Sequence, residues 1–188
     1  MPILYACFLE NDPEIMERHW LNAMAARLAP STTRNPKIHV ELFFPDRHEK
    51  DEIVSGRACS IHYNGTVFLT KKRFSRKQWS FRSLDVSARQ YNQVLSFCEA
   101  HQGEHFNHLS YFLQPVNSYL GITPNWPTWF GYSPRWFCSE ICLAALKAAN
   151  ILPEKTFVSM HPQELYNLLE DTTTSSCVRN MDQIPLCF

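Results

Sequence analysis

The residue with the clearest potential for covalent chemistry in this chain is Cys138. It lies in the sequence PRWFCSE, residues 134–140, where an aromatic loop ends and an apolar segment predicted to be helical to about Leu152 begins. A cysteine in the first turn of a helix lies at the positive end of the backbone dipole, which favours the thiolate over the thiol. Cys138 is therefore the candidate nucleophile.

A histidine well upstream supplies a candidate general base. The sequence IHVELFF, residues 38–44, has the alternation of a strand, and this alternation places His39 and Glu41 on one face. A thiolate, an imidazole and a third polar group that orients the imidazole ring are the requirements of nucleophilic acyl transfer. His39 is the candidate base for Cys138, and in this chain the histidine precedes the cysteine.

Three residues are candidates for orienting the His39 ring. If the two strands that carry them pair antiparallel around a loop centred near residue 51, His62 lies opposite His39 and Ser60 lies opposite Glu41. Directly opposed residues have Cβ atoms about 4.5–5.5 Å apart, so their side chains reach each other. A register slip of one residue would remove His62 and Ser60 together from this face. We rank His62 first, followed by Ser60 and Glu41.

Short strands and helices must position these groups. Apolar alternation predicts strands over 3–9, 38–44, 58–63, 66–70 and 79–85. Helices are predicted from Asp12 to about Leu28, from Ser87 to near Gly103, from Cys138 to about Leu152, and over 162–169. The pattern predicts an α+β fold with a small antiparallel sheet and helices packed on it.

Two connections in this pattern have distinct compositions. Residues 45–57 are rich in charge and are predicted to form a loop, and Asn64-Gly65 is a strong hairpin signal. Residues 104–135 form a long stretch rich in aromatic residues, proline and asparagine, which is typical of a lid or a pocket wall. We expect three aromatic residues to border the substrate cleft: Trp136, Tyr132 and Trp129.

The composition is that of a folded protein without a strong long-range electrostatic field. The chain has 188 residues, of which 45% are apolar and 13% aromatic, and its net charge is zero. This length supports a single domain over residues 1–188. Zero net charge provides no long-range attraction for nucleic acid or an anionic membrane. We therefore expect neither as a partner.

The cysteines and the first residues predict the compartment. Seven cysteines, an odd number, occur largely inside apolar segments, which is typical of free thiols in a reducing compartment such as the cytoplasm. Residues 1–8 are apolar but lack a basic region, so they are predicted to form a strand and not a signal peptide. No apolar run reaches the roughly 20 residues of a membrane span.

At these residues the chain resembles the circularly permuted branch of the papain-like NlpC/P60 superfamily, which has bacterial and poxviral members. The sequence HVE at 39–41 is similar to the strand that carries the histidine, and CSE at 138–140 is similar to the helix start that carries the cysteine. His62 matches the third catalytic position on the following strand. A short proline-led helix after His161 also fits, and the resemblance covers roughly residues 37–170.

The resemblance implies a permuted papain-like fold and a cysteine hydrolase or acyltransferase that works through an acyl-enzyme without a cofactor. Members of the superfamily act on cell-wall peptides, amides or lipid acyl groups, so the expected substrate is a peptide, an amide or a lipid acyl compound. The implied setting is intracellular or viral, in host cytoplasm or a virion. Residues 1–30 match no motif of the branch, and the long aromatic stretch gives no basis for carrying over an acceptor pocket.

Metal chemistry is an alternative. The sequence HQGEH, residues 101–105, matches the H-x-x-E-H pattern of inverted zinc peptidases, in which one continuous helix presents both histidines to the metal. Gly103 is more typical of a helix C-terminus, which opposes this interpretation. A zinc site made from Cys138, Cys142 and His39 has three ligands, whereas structural zinc sites prefer four.

A third class of function is non-enzymatic. The aromatic stretch over 104–137 is also suited to a binding surface, because tryptophans are enriched at interfaces. In that case no cysteine should react selectively with a thiol-directed probe at neutral pH.

Overall fold

An antiparallel sheet of five strands forms the centre of the computed structural model, which describes residues 2–10, 36–46, 53–112 and 134–170. The strands are β1 (Ile3–Glu10), β2 (Lys37–Pro45), β3 (Ile53–Ile61), β4 (Val67–Ser75) and β5 (Trp79–Asp85). Their order across the sheet is β4-β3-β2-β1-β5. β2 lies between β1 and β3, and its HVE segment pairs with β1 through Leu9, Phe8 and Cys7.

Helices and a two-stranded ribbon complete the described fold. The helices are α1 (Ala88–Ala100), α2 (His108–Phe112), α3 (Cys138–Ala148) and α4 (162–170). Ser87 begins α1 with a capping box, in which its hydroxyl accepts from the Gln90 N–H and the Gln90 side chain accepts from the Ser87 N–H. The ribbon consists of β6 (His105–Phe106) and β7 (Arg135–Trp136), which pair in parallel. It leads directly into α3.

The alternation of β2 divides the buried residues between two cores. Val40, Leu42 and Phe44 belong to the larger core, to which α1, α3 and α4 also contribute. The opposite face of the sheet covers a smaller core, which contains Cys7, Phe43, Val54, Ala58 and Phe74. Each fully buried large apolar side chain contributes roughly 1.5–3 kcal/mol, so both cores stabilise the sheet.

Much of the expected architecture is confirmed. The fold is α+β with an antiparallel sheet and helices packed on it, and the helix that begins at Cys138 packs against β2 and β3. Leu42 pairs with Cys59 and Pro45 with Gly56, which is the register predicted for a loop centred near residue 51. The strand expected over 79–85 has these same bounds.

The predicted charged loop over 45–57 is wrong in part. β3 begins at Ile53, which pairs with Ser75, so both β3 and β4 extend beyond their expected bounds. Charged residues occur in these strands because one side of β4 remains exposed, as at Lys71, and pairing with β3 compensates for the lack of apolar alternation. The helix predicted from Asp12 to Leu28 lies outside the described residues.

Two further boundaries differ from expectation. The helix predicted to continue to Leu152 ends at Ala148, and Asn150 adopts the left-handed conformation with φ 53°. Asparagine tolerates this conformation and often follows a helix C-terminus. Among the helices that can be described, none is sufficiently long and apolar to cross a membrane.

Gly56 allows a close approach between β2 and β3. A Cβ at this position would lie 2.3 Å from the Phe44 carbonyl oxygen and 2.8 Å from the Phe43 ring. The backbone oxygen cannot move away without disturbing the sheet. We therefore expect Gly56→Ala to lower the free energy of unfolding by about 3 kcal/mol, as measured by urea denaturation. Gly65→Ala is a matched control because its Cβ meets nothing closer than 3.2 Å; an equal loss in both variants would contradict the expectation.

Candidate active site

Cys138 is the first residue of α3, and its neighbours in the CSE sequence fix the first turn of that helix. The Phe137 N–H donates to Oε2 of Glu140 over 3.2 Å, and the Ser139 hydroxyl donates to the Met160 carbonyl oxygen. The serine therefore anchors the helix to the segment before α4, while the glutamate accepts from a backbone N–H at the helix start. The thiol lies at the positive end of this helix.

The packing of α3 determines what the Cys138 thiol can reach. One turn along the helix, the Cys142 thiol is fully buried and lies 3.8 Å from the Val40 carbonyl oxygen in β2. Ile141 and Leu146 are also buried in the larger core. The apolar face of α3 thus holds the start of the helix beside the start of β2.

His39 and Cys138 meet in one cavity of about 250 Å³. Burial by itself lowers the pKa of His39, but its interactions with Cys138, followed by those with Glu41, outweigh burial and raise this pKa to about 9. An imidazolium is therefore favoured at neutral pH, and an adjacent positive charge favours the thiolate form of a cysteine.

Glu41 supports the charge on His39 from the same strand. Its Oε1 lies 3.4 Å from Nε2 of His39, and only 1% of the Glu41 side chain is exposed. The contact is an ion pair, because within the described part of the chain Nε2 has no partner that satisfies hydrogen-bond geometry. Nζ of Lys72 donates to both Glu41 oxygens, over 2.8 and 2.9 Å.

The charged neighbours keep the Glu41 carboxylate ionised. Burial raises the pKa of Glu41, but the contacts with His39 and Lys72 outweigh burial and lower it. A buried carboxylate next to an imidazole stabilises the imidazolium and holds the ring in one orientation. Glu41 is thus placed where it can orient the His39 ring.

His62 lies beside His39 but holds it differently from the way we predicted. When the observed β2–β3 register is continued, His62 falls opposite His39, and the two rings stack with centroids 5.3 Å apart and an interplanar angle of 27°. Phe68 stacks on the other side of His62 at 4.8 Å. Stacking brings ring faces together and provides no in-plane hydrogen bond. Burial, His39 and Lys72 lower the pKa of His62 to about 4, so the His62 ring is neutral at physiological pH.

The Ser60 side chain bonds to the backbone of β2. It is completely buried, and its hydroxyl donates to the Val40 carbonyl oxygen over 2.6 Å. Ser60 therefore joins β3 to β2 and does not hold the His39 ring. Of the three predicted ring-orienting residues, Glu41 makes the charged contact with the His39 ring and His62 stacks on that ring, while the Ser60 hydroxyl bonds to β2.

Of the three predicted cleft aromatics, Trp136 is the one that the structure describes. The Trp136 indole N–H donates to Oε2 of Glu104, and the indole packs edge-on against His101 with centroids 5.3 Å apart. Trp136 is therefore turned toward the end of α1 and is not among the residues that line the cavity. Tyr132 and Trp129 lie outside the described residues.

Other residues, which sequence reasoning missed, line the cavity. Its charged or ionisable lining includes Lys72, and its aromatic lining includes Tyr63, Trp79, Phe106 and Tyr111. The alternation of β4 was a usable signal for Lys72, because it places this lysine on the same strand face as Phe74 in the smaller core. For Tyr111 and Trp79 no sequence signal was available, because only the tertiary structure brings them to Cys138.

A backbone hydrogen bond to the ribbon holds α2, which carries Tyr111, near Cys138. The Asn107 N–H donates to the Trp136 carbonyl oxygen over 2.8 Å, and α2 follows directly, with the Tyr111 N–H donating to the Asn107 carbonyl oxygen. Burial, Cys138 and Tyr63 raise the pKa of Tyr111 well above its ordinary value. The phenol therefore stays protonated beside the candidate nucleophile.

The alternative zinc motif does not have the helix that it needs. α1 ends at Ala100, His101 is its C-cap, and Gly103 has φ 91°. His105 lies in β6 and is exposed, while His101 Nδ1 contacts Oε2 of Glu104 at 2.8 Å. The two histidines are thus on different elements, separated by a turn. The option of Cys138, Cys142 and His39 fails because the Cys142 thiol is directed toward Val40.

Comparisons with known proteins provide no relative for this chain. No family model, no curated protein and no solved structure matches it.

Proposed function

We propose that this protein is a Cys-His thiol hydrolase or acyltransferase with a permuted papain-like fold. The observation that carries the proposal is the meeting of Cys138 and His39 in one cavity, with the buried Glu41 carboxylate 3.4 Å from the imidazole. A nucleophile, a base and a group that orients the base are the three requirements of acyl transfer through a covalent intermediate. The helix that carries the cysteine packs on the antiparallel sheet that carries the histidine, which is compatible with that fold.

The proposed reaction begins with attack of the Cys138 thiolate on a carbonyl carbon. The carbonyl π electrons move to oxygen, and the resulting oxyanion is stabilised by backbone N–H groups at the start of α3. The oxyanion collapses as the His39 imidazolium gives its proton to the leaving group, which leaves an acyl-enzyme and a neutral imidazole. His39 then takes a proton from water or another acceptor, and that acceptor attacks the thioester and restores the thiolate.

The proposed substrate is a peptide, an amide or a lipid acyl compound, and no cofactor takes part. We further propose that the protein functions in the cytoplasm, of a host cell if the protein is viral. The five cysteines that the structure describes are free thiols, which supports a reducing compartment.

Labelling with an iodoacetamide probe followed by mass-spectrometric site mapping tests the proposal. We expect the probe to modify Cys138 at neutral pH at least about tenfold faster than the same cysteine in the urea-unfolded chain, because the imidazolium favours the thiolate. Three other described cysteines are internal references, since burial raises the pKa of Cys7 and Cys142, and a hydrogen bond with Cys59 together with burial raises the pKa of Cys98. If Cys138 reacts no faster in the folded protein, the enzyme proposal fails and the binding alternative is favoured.

A further inference from the structure

Lys72 lines the same cavity as His39 and Cys138. It belongs to β4, and its side chain is 28% exposed. The ammonium group donates to both carboxylate oxygens of Glu41, whose side chain is almost completely buried. Two hydrogen bonds to one carboxylate restrict both the position and the rotation of that group. Lys72 thus determines where the Glu41 oxygens lie relative to His39.

A second chain of contacts also runs from Lys72 to His39. The Lys72 ammonium lies 4.2 Å from the centroid of the Phe68 ring, a cation–π contact. Phe68 stacks on His62, and His62 stacks on His39. The lysine is therefore connected to the imidazole both through the carboxylate and through a column of rings.

The charge balance gives this lysine a specific role. Groups from five neighbouring elements face Glu41 and His39: Cys7 from β1, His62 after β3, Lys72 from β4, Tyr111 from α2 and Cys138 from α3. The raised pKa values of Cys7 and Tyr111 and the lowered pKa of His62 leave these three neutral near pH 7. The charged contacts that remain join Lys72 to Glu41 and Glu41 to His39.

We propose that Lys72 is a positioning residue that holds Glu41 as an oriented carboxylate and thereby maintains the thiolate–imidazolium pair of Cys138 and His39. The inference rests on the proposed function. Removing the ammonium group takes one positive charge from the cluster, which increases the tendency of its anionic members to bind a proton. If Glu41 binds it, the imidazolium loses its counter-ion; if Cys138 binds it, the thiolate is lost. Both routes weaken the nucleophile at neutral pH.

The test measures the rate of Cys138 alkylation by iodoacetamide as a function of pH, with site mapping of the product. We expect Lys72→Met to slow alkylation about tenfold at pH 7 and to displace the pH profile to higher pH. Lys72→Arg should stay within about threefold of the parent protein, because a guanidinium group also pairs with a carboxylate. Lys71→Met is the matched control, since this neighbouring lysine is exposed and alternates to the other face of the strand. A Lys72→Met profile that superimposes on that of the parent protein would overturn the inference.

A double variant keeps the inference testable if Lys72→Met does not fold, because Glu41→Gln removes the buried charge that would otherwise keep only its 3.4 Å contact with His39. We expect Glu41→Gln and Glu41→Gln/Lys72→Met to show the same alkylation profile, since Lys72 is proposed to act through Glu41. A further slowing in the double variant would contradict this route. Failure of the proposed function is distinguishable, because Cys138 of the unsubstituted protein would then show no enhanced reactivity at all.

Discussion

Cys138→Ala is expected to abolish turnover and leave the fold intact. The thiol is the proposed attacking atom, and enzymes that lose their nucleophile typically lose at least about 10³-fold in kcat. The side chain is 7% exposed at the start of α3, where its loss removes one sulfur atom and no backbone contact. We therefore expect the variant to remain folded, although the lost contact with the His39 imidazolium lowers the free energy of unfolding at neutral pH. Hydrolysis of a panel of peptide, amide and thioester acyl donors measures the first effect, and urea denaturation measures the second.

Cys142→Ala is the matched control for this experiment. It removes a thiol from the same helix, one turn further on, where the thiol is fully buried and lies near the Val40 carbonyl oxygen. This variant should retain turnover and lose stability. Turnover that persists in Cys138→Ala, or a Cys138→Ala protein that is unfolded, would show that Cys138 has a packing role and not a chemical one.

His39→Ala is expected to slow alkylation of Cys138 about tenfold near pH 7, because the thiolate loses the positive charge beside it. The pKa of His39 is raised to about 9, so the imidazolium persists through neutral pH and is lost above it. The difference between the two proteins should therefore shrink as pH rises through 9. Equal rates at pH 7 would contradict the ion pair. His105→Ala is a suitable control because that histidine is exposed on β6.

The same histidine predicts a dependence of stability on pH. Its pKa rises from an ordinary value of 6.5 in the unfolded chain to about 9 in the folded protein. The proton on His39 then stabilises the folded state fully below pH 6.5, and this contribution is lost as pH rises through 9. Urea denaturation between these pH values should show a decline in stability that His39→Ala reduces; a decline of equal size in both proteins would contradict the raised pKa.

The two motifs of the site were predictable because each depends on local chemistry. Alternation placed His39 and Glu41 on one face of a strand, and the apolar run after Cys138 predicted the helix that begins there. The register between β2 and β3 also followed from the sequence, because a one-residue slip would move a whole set of side chains to the wrong face. These inferences needed no knowledge of distant parts of the chain.

The roles of the groups around His39 were not predictable in this way. The predicted strand pairing correctly placed His62 opposite His39. Whether two opposed side chains form a hydrogen bond or stack depends on their rotamers and on the other side chains that pack around them. Here Phe68 packs on the far face of His62, and Lys72 holds Glu41 near the imidazole. Both Phe68 and Lys72 belong to β4, which is not a direct neighbour of β2 in the sheet.

The sequence by itself determined the residue types that could do chemistry, the α+β class and the strand register, because propensity, alternation and helix-start signals act over a few residues. The tertiary structure decided which groups meet. The packing of α3 on β2 and β3 brought Cys138 to His39. Strand β4 supplied Lys72, whose ammonium group pairs with the Glu41 carboxylate. Contacts between elements distant along the chain arise from the packing of whole faces, and no local pattern encodes which side chains those faces bring together.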